Sequence, residues 1–180
     1  MMSKILKNKE FFLPLLLTVV VIVLDQITKA LVVAKIPPYG LGFQLFGDFF
    51  RIVHVYNTGA AFSLGHDLNP LASFLFLRIL PLLIMIVVVV IYFKTKSFSY
   101  PQRWFIAGII GGGFGNLIDR FFNSKGVVDF IDVKFYGIFG MQRWPTFNIA
   151  DSSIVICGIL LIISFIIQER KMKKEVTNEN

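Results

Sequence analysis

Two aspartates set far apart in the chain could do hydrolytic chemistry together, Asp129 in VVDFID and Asp151 in FNIADSS. Carboxyls carried on separate elements can converge at an interface in a way that neighbours on one helix cannot. Brought close, they do not both ionise easily, so they share a proton and titrate as a unit. One then acts as base on a water while the other donates to a scissile carbonyl, which is the logic of an aspartic protease. Residue type and spacing do not choose between Asp129 and Asp132 as the first member. A plainer alternative also stands, in which one aspartate caps a helix and the other is a solvated loop residue. Other hydrolase signatures are missing: there is no H-E-x-x-H for zinc and no G-x-S-x-G nucleophile. A single cysteine, Cys157, and two scattered histidines, His54 and His66, make neither a disulfide framework nor a metal box. No metal or organic cofactor is expected.

Further ionisable and small residues form smaller constellations. Asp25 and Lys29 stand one helical turn apart and can pair, most simply as a structural ion pair that fixes helix packing. Asn116, Asp119 and Arg120 cluster on one turn, where Arg120 can fork onto a carboxylate or onto backbone carbonyls. The run GGGFGN at 111–116 strips side chains from most of one turn. It suits either close helix packing or room for a substrate's backbone. Asn57-Thr-Gly-Ala-Ala-Phe62 offers an amide donor followed by a tight turn of small residues. His54 and His66 read as surface or interface residues.

The elements that must position these groups are set by composition. Of 180 residues, 56% are hydrophobic and only 16% charged, and mean hydropathy is +0.73. Soluble domains are nearer half apolar and a quarter charged, so the chain belongs in lipid. Four stretches reach the ~20 apolar residues that a helix needs to cross a bilayer core. They run from about 11 to 33, 71 to 93, 104 to 122 and 147 to 167. The second is interrupted by Arg78 and Pro81, and the third is rich in glycine. The first has no small-residue cleavage site behind it and reads as a retained helix rather than a signal peptide. Aromatic and β-branched residues bounded by glycines at 40–57 predict one or two short strands at the membrane surface. The expected architecture is therefore an all-α integral membrane protein in one domain. It has four transmembrane helices and a small extracytoplasmic β-region between helices 1 and 2. The tail 168–180 is expected to lack fixed structure.

Charge sets the orientation. Residues 1–10, 94–103 and 168–180 hold ten Lys and Arg in 33 positions, whereas 35–70 and 123–146 hold five in 60. Both termini are therefore expected in the cytoplasm. The net charge of +7 is then a membrane-anchoring pattern rather than a nucleic-acid footprint. All four glutamates lie near the chain ends and all seven aspartates between Asp25 and Asp151, which puts every aspartate toward the outer face.

Five blocks in order, DQITK (25–29), NTGAAF (57–62), GNLIDR (115–120), GVVDFID (126–132) and FNIADSS (147–153), resemble the lipoprotein signal peptidases, or signal peptidase II. The resemblance implies a bacterial cytoplasmic-membrane aspartic endopeptidase. Such an enzyme removes the signal peptide from prolipoproteins just before a cysteine that already carries diacylglycerol. It implies Asp129 and Asp151 as the catalytic pair, against Asp132. It places Asn57, Gly112, Asn116, Asp119, Arg120, Asn148 and Ala150 in substrate binding or bracing, and Asp25 and Lys29 in stabilising the fold. Expected partners are lipidated prolipoproteins and membrane lipid, with the enzyme a monomer. The stretches 36–50 and 134–144 follow no fixed family pattern, which bears on substrate preference. Rival readings make distinct demands. An ion-coupled transporter would want midplane carboxylates and paired repeats, whereas here the carboxylates gather at one face. A non-catalytic assembly protein would need no convergent pair. A lipid phosphotransferase would want several acids around magnesium, for which Asp129 and Asp132 are a lone partial match.

Overall fold

The computed structural model describes residues 10–59 and 69–178. Ala60–Phe62 of the NTGAAF block, His66 and Asp67 lie outside them. Four long helices account for most of the chain: α1 (Leu15–Lys35), α2 (Pro70–Lys94), α3 (Tyr100–Phe122) and α4 (Ile149–Asn178). Among the described residues three helices are long and apolar enough to cross a membrane: α1 with the turn before it, α2 and α4. The expected third span, at 104–122, falls short of that measure. The reason is its position. α3 packs against α1, α2 and α4, and it buries Gln102, Arg103 and Asp119 along with apolar residues and glycines. A helix surrounded by protein can carry polar groups that a lipid-facing helix cannot.

The other helices show the opposite pattern. In α1 the buried residues are Val21, Asp25, Lys29 and Val32, a single stripe at helical spacing. Around it Leu16, Val20, Leu24, Ile27 and Leu31 stand exposed, as suits a hydrocarbon solvent. α2 begins at an Asn69 cap, whose Oδ1 accepts from the Ala72 N–H at 2.8 Å, with Pro70 in the first turn. It widens into a π turn over Leu75–Ile79. The cause is Pro81, which has no N–H to offer the Leu77 carbonyl and whose ring crowds it. At the other end of α2, Arg103 donates to the Tyr92 and Thr95 carbonyls at 3.0 and 2.9 Å, which caps the helix from α3. α4 continues to Asn178, so the segment expected to lack structure is helical as far as that residue. Thirty residues span ~45 Å, more than the ~30 Å hydrocarbon core. A Glu169–Lys173 pair at 2.6 Å and one helical turn supports the projecting part.

The β-region is larger than expected. β1 (Leu41–Leu45) and β2 (Phe50–Asn57) form the anticipated hairpin, but a third strand, β3 (Val127–Val133), joins them from beyond α3. The sheet is antiparallel in the order β1-β2-β3, with Val55 opposite Asp129 and Asn57 opposite Val127. Val32 and Ile36 at the end of α1 pack on Val128 and Phe130, which seats the sheet on the helices. His54, expected at a surface or an interface, is 1% exposed at the join of sheet and helix, with Nδ1 2.7 Å from the Ile36 carbonyl oxygen. That carbonyl only accepts, so Nδ1 carries a proton.

The glycine run is used for packing on three sides. A Cβ at Gly111 would meet Val21 and Thr18 of α1, at Gly112 the Ala150 carbonyl of α4, at Gly113 the Met85 side chain of α2, and at Gly115 the Asp25 carboxyl. These neighbours differ in how far they can yield. Gly112→Ala pushes on backbone and is expected to destabilise by about 1–3 kcal/mol, as overpacking does. Gly113→Ala pushes only on a flexible methionine and should cost under ~1 kcal/mol. Thermal melts of the two purified variants test this, and equal losses would refute the packing assignment.

Candidate active site

The chain uses one short pairing to bring its two distant aspartates together. After β3 it makes an excursion and returns antiparallel, with Trp144 N donating to the Val133 carbonyl at 2.9 Å. Phe147 N then donates to the Ile131 carbonyl at 3.0 Å, and Ile131 N to the Phe147 carbonyl at 2.8 Å. This sets the start of α4 beside Asp129.

Asn148 is the joint. Its Oδ1 accepts from Asp151 N at 2.9 Å, and Asp151 Oδ2 accepts from Asn148 N at 3.2 Å, a reciprocal capping box at the start of α4. Its Nδ2 donates to Asp129 Oδ1 at 2.8 Å and to Asn116 Oδ1 at 3.0 Å. One fully buried side chain thus touches both aspartates and the residue between them. Asp151 is a capping aspartate after all, but only one of its oxygens is used so. Oδ1 accepts from Asn116 Nδ2 at 2.7 Å. Asp129 Oδ2 accepts from Asn57 Nδ2 at 2.9 Å, across the β2–β3 pair. Asn57 Oδ1 is in turn held by the Gly59 N–H at 3.0 Å, which fixes the amide's direction. Each carboxyl therefore receives two donors, and the amide oxygens that might have competed are occupied.

Behind this pair lies a second, deeper cluster. Lys29 Nζ is 2.7 Å from Asp25 Oδ2 and 2.9 Å from Asp119 Oδ2, and donates to Asn116 Oδ1 at 3.1 Å. Asp25 Oδ1 reaches across to accept from Ala150 N at 3.0 Å, satisfying an N–H that the first turn of α4 leaves open. Asp119 Oδ2 accepts from Val128 N at 3.1 Å, next to Asp129 on β3. Gln26 closes the cluster, with Nε2 3.1 Å from both the Gly115 carbonyl and Asp119 Oδ1. Sequence reasoning missed Gln26. The signal was present, since a polar amide inside an apolar helix beside Asp25 must find partners.

A groove of about 980 Å³ opens onto the aspartate pair. Asp129, Asp151, Asn57, Asn116 and Arg120 line it, beside Trp144, Phe147, Ile154, Val155 and Ile156. The expected substrate-binding set is thereby divided. Gly112, Asp119, Asn148 and Ala150 are buried and do not line the groove, because each is spent on joining elements behind it. Arg120 faces a different way from its neighbour Asp119, donating from Nη2 to the Gly59 carbonyl at 2.7 Å. Asp132 is turned away from the pair and held by Arg51 Nη2 and Arg143 Nε, each at 2.6 Å.

Burial pushes the Asp129 carboxyl up to about 7 from its usual 3.8, and the nearby Asp151 charge adds to the rise, against the donors from Asn57 and Asn148. The consequence for stability has a definite sign. Below about pH 4 folded and unfolded chains both hold this proton, and Asp129 contributes nothing. Between about 4 and 7 the unfolded chain releases it while the folded chain keeps it, so stability falls as pH rises. Above 7 the whole penalty, roughly 4 kcal/mol, is present. Asp129→Asn removes it. The melting temperature of that variant relative to wild type should rise as pH goes from about 5 to about 8. A difference that does not change with pH would refute the raised carboxyl.

The family description Signal peptidase (SPase) II matches residues 17–167. A lipoprotein signal peptidase of Treponema pallidum (strain Nichols) is 57% identical over 168 residues, 93% of this chain and 90% of the relative. One from Treponema denticola is 55% identical over 167 residues, 93% and 96% of the two chains. Among solved structures, a bacterial membrane enzyme determined in meso at 2.3 Å superposes with a TM-score of 0.70 at 33% identity, covering 85% of this chain and 87% of the other. A second, at 1.9 Å, gives 0.69 at 34% identity, covering 84% and 91%.

Proposed function

The chain belongs to the signal peptidase II family, and from that premise we propose that it is an aspartic endopeptidase that removes the signal peptide from lipidated bacterial prolipoproteins. The observation that carries the reading is the joint contact of Asn148 with Asp129 and Asp151 at the floor of an open groove. Asp129, with its carboxyl held up to about 7, is protonated in a large fraction of molecules at neutral pH and supplies the pair's proton. It donates to the scissile carbonyl oxygen as Asp151 takes a proton from the attacking water. Collapse of the tetrahedral intermediate breaks the C–N bond, and the proton taken from water passes to the leaving amine. The donors from Asn57, Asn116 and Asn148 hold both carboxyls in place, so the lone pairs facing the groove are left for this exchange.

The groove is walled by Val155 and Ile156 of α4, both strongly exposed. A signal helix with acyl chains on its following cysteine would enter sideways from the bilayer. Four membrane spans, with α3 shielded at the centre, cytoplasmic termini and the groove toward the outer face, are parts of the same proposal. They rest on the basic residues at the chain ends and on the sheet's place beside the last turn of α1. The enzyme acts as a monomer, since one chain supplies both carboxyls.

The test is cleavage by purified protein of a diacylglyceryl prolipoprotein beside its unlipidated precursor. Lipid anchoring sets the depth of the scissile bond, so the lipidated form should be cut at least ~10²-fold faster. No cleavage of either form by a folded sample would overturn the reading. Equal rates would refute the positioning argument.

A further inference from the structure

Arg78 stands on α2 with no carboxylate in ion-pairing range among the described residues. Its Nε donates to the Arg120 carbonyl oxygen at 2.5 Å, and its guanidinium carbon lies 5.9 Å from the centre of the Phe74 ring. The two terminal nitrogens of Arg78 have no hydrogen-bond partner among the described residues. Both arginines line a small cavity of about 190 Å³, with Thr58, Ser73 and Ser124 around it and Leu77 at one wall. This cavity is distinct from the large groove, and Arg120 and Thr58 border both.

A guanidinium part-buried in an apolar helix with no carboxylate partner among the described residues is costly, and a second guanidinium beside it adds repulsion. An anion in the cavity would relieve both. The chemistry of the lining selects the kind of anion. Guanidinium forks match phosphate oxygens in pairs, and three hydroxyls supply further donors around them. The volume is far above the ~10–15 Å³ that one water needs. Position selects the source. Arg78 is eight residues into α2, or ~12 Å from its start, and Ser73 only ~4 Å. Leu71, Leu75 and Phe76, on the same stretch of helix, are exposed, an apolar surface suited to acyl chains. A headgroup phosphate at that depth keeps its acyl chains on that surface.

We propose that the cavity between Arg78 and Arg120 binds the phosphate group of an anionic phospholipid. Arg120 and Thr58 are shared with the groove, but Arg78 and Ser73 border this cavity alone, so variants at those two residues read binding here.

The test uses the full chain in nanodiscs of phosphatidylcholine, with and without phosphatidylglycerol, and native mass spectrometry to count retained lipids. Both lipids carry a phosphodiester, but choline brings a cation toward two arginines. The wild type should retain phosphatidylglycerol about tenfold more strongly than phosphatidylcholine. Arg78→Gln should erase that preference, as expected of losing a charged hydrogen-bonding pair. Arg78→Lys should restore part of it, since charge returns without the fork. Should Arg78→Gln not fold, Ser73→Val reads the same site and should weaken retention several-fold. A preference unchanged in Arg78→Gln, or in Ser73→Val where that variant stands in, overturns the proposal. A parallel detergent sample takes inorganic phosphate. If phosphate alone stabilises the protein through Arg78 as strongly as phosphatidylglycerol does, the anion site holds and the headgroup assignment falls.

Discussion

Asp129→Asn and Asp151→Asn are each expected to abolish cleavage, by ~10²–10⁴-fold or more, while the protein melts at or above the wild-type temperature at neutral pH. On the proposed mechanism the activity loss follows from the shared proton, since an amide neither holds it nor releases it. The stability sign follows from magnitudes. Asn at 129 offers one acceptor where the carboxyl offered two, so one of the donors from Asn57 and Asn148 goes unmatched, at about 1 kcal/mol. Against this stands relief of a burial penalty of roughly 4 kcal/mol above pH 7. Relief exceeds loss. At 151 the amide oxygen can still accept from Asn148 N and keep the capping box. Asp132→Asn is the control, because that residue faces Arg51 and Arg143 and not the groove, and its activity should remain near wild type. Melts run beside a cleavage assay decide the matter. A live Asp129 variant with a dead Asp132 variant would reassign the pair, and marked destabilisation of both dyad variants would make those residues structural.

Lys29→Met is expected to be the most destabilising change in the deep cluster, at about 3–5 kcal/mol. It strands two buried carboxylates at once, Asp25 and Asp119, each of which also holds backbone of another element. Asp25→Asn should cost less, about 1–3 kcal/mol, because Lys29 keeps Asp119 as a partner and the new amide oxygen can still accept from Ala150 N. In both variants cleavage per folded molecule should stay within a few-fold of wild type. The measurement is again thermal melting with activity normalised to the folded fraction. An order reversed between the two variants would show that Asp119 does not share the lysine.

The parts of this architecture legible in the sequence are those governed by local spacing. Apolar length predicts the helices lying against lipid, and i,i+4 spacing predicts the Asp25–Lys29 pair at 2.7 Å. Non-local pairing is not written in any window. VVDFIDV is a short apolar run like many others until β2, some seventy residues earlier, is seen to accept it. The same holds for Asp119, whose partner Lys29 lies on another helix, and for Asp132, whose arginines come from β2 and from the excursion after β3. For His54 the sequence leaves surface and interface open, and the end of α1 decides it by covering the ring. The resemblance to relatives supplied the choice of Asp129 over Asp132, which spacing left open.

The hydrogen bond from Ala150 N to Asp25 joins the first long helix to the last, and it bears on how the enzyme comes into being. During synthesis α1 leaves the ribosome with Asp25 and Lys29 already in register, but Asp151 does not exist until α4 has been made. A nascent chain therefore carries at most one half of the proposed dyad and, on that proposal, is not yet able to cut. When α4 inserts, the same carboxylate that receives its first turn fixes the helix at the depth where Asp151 meets Asp129. On the proposed mechanism, docking of the last helix and onset of peptidase activity become one event.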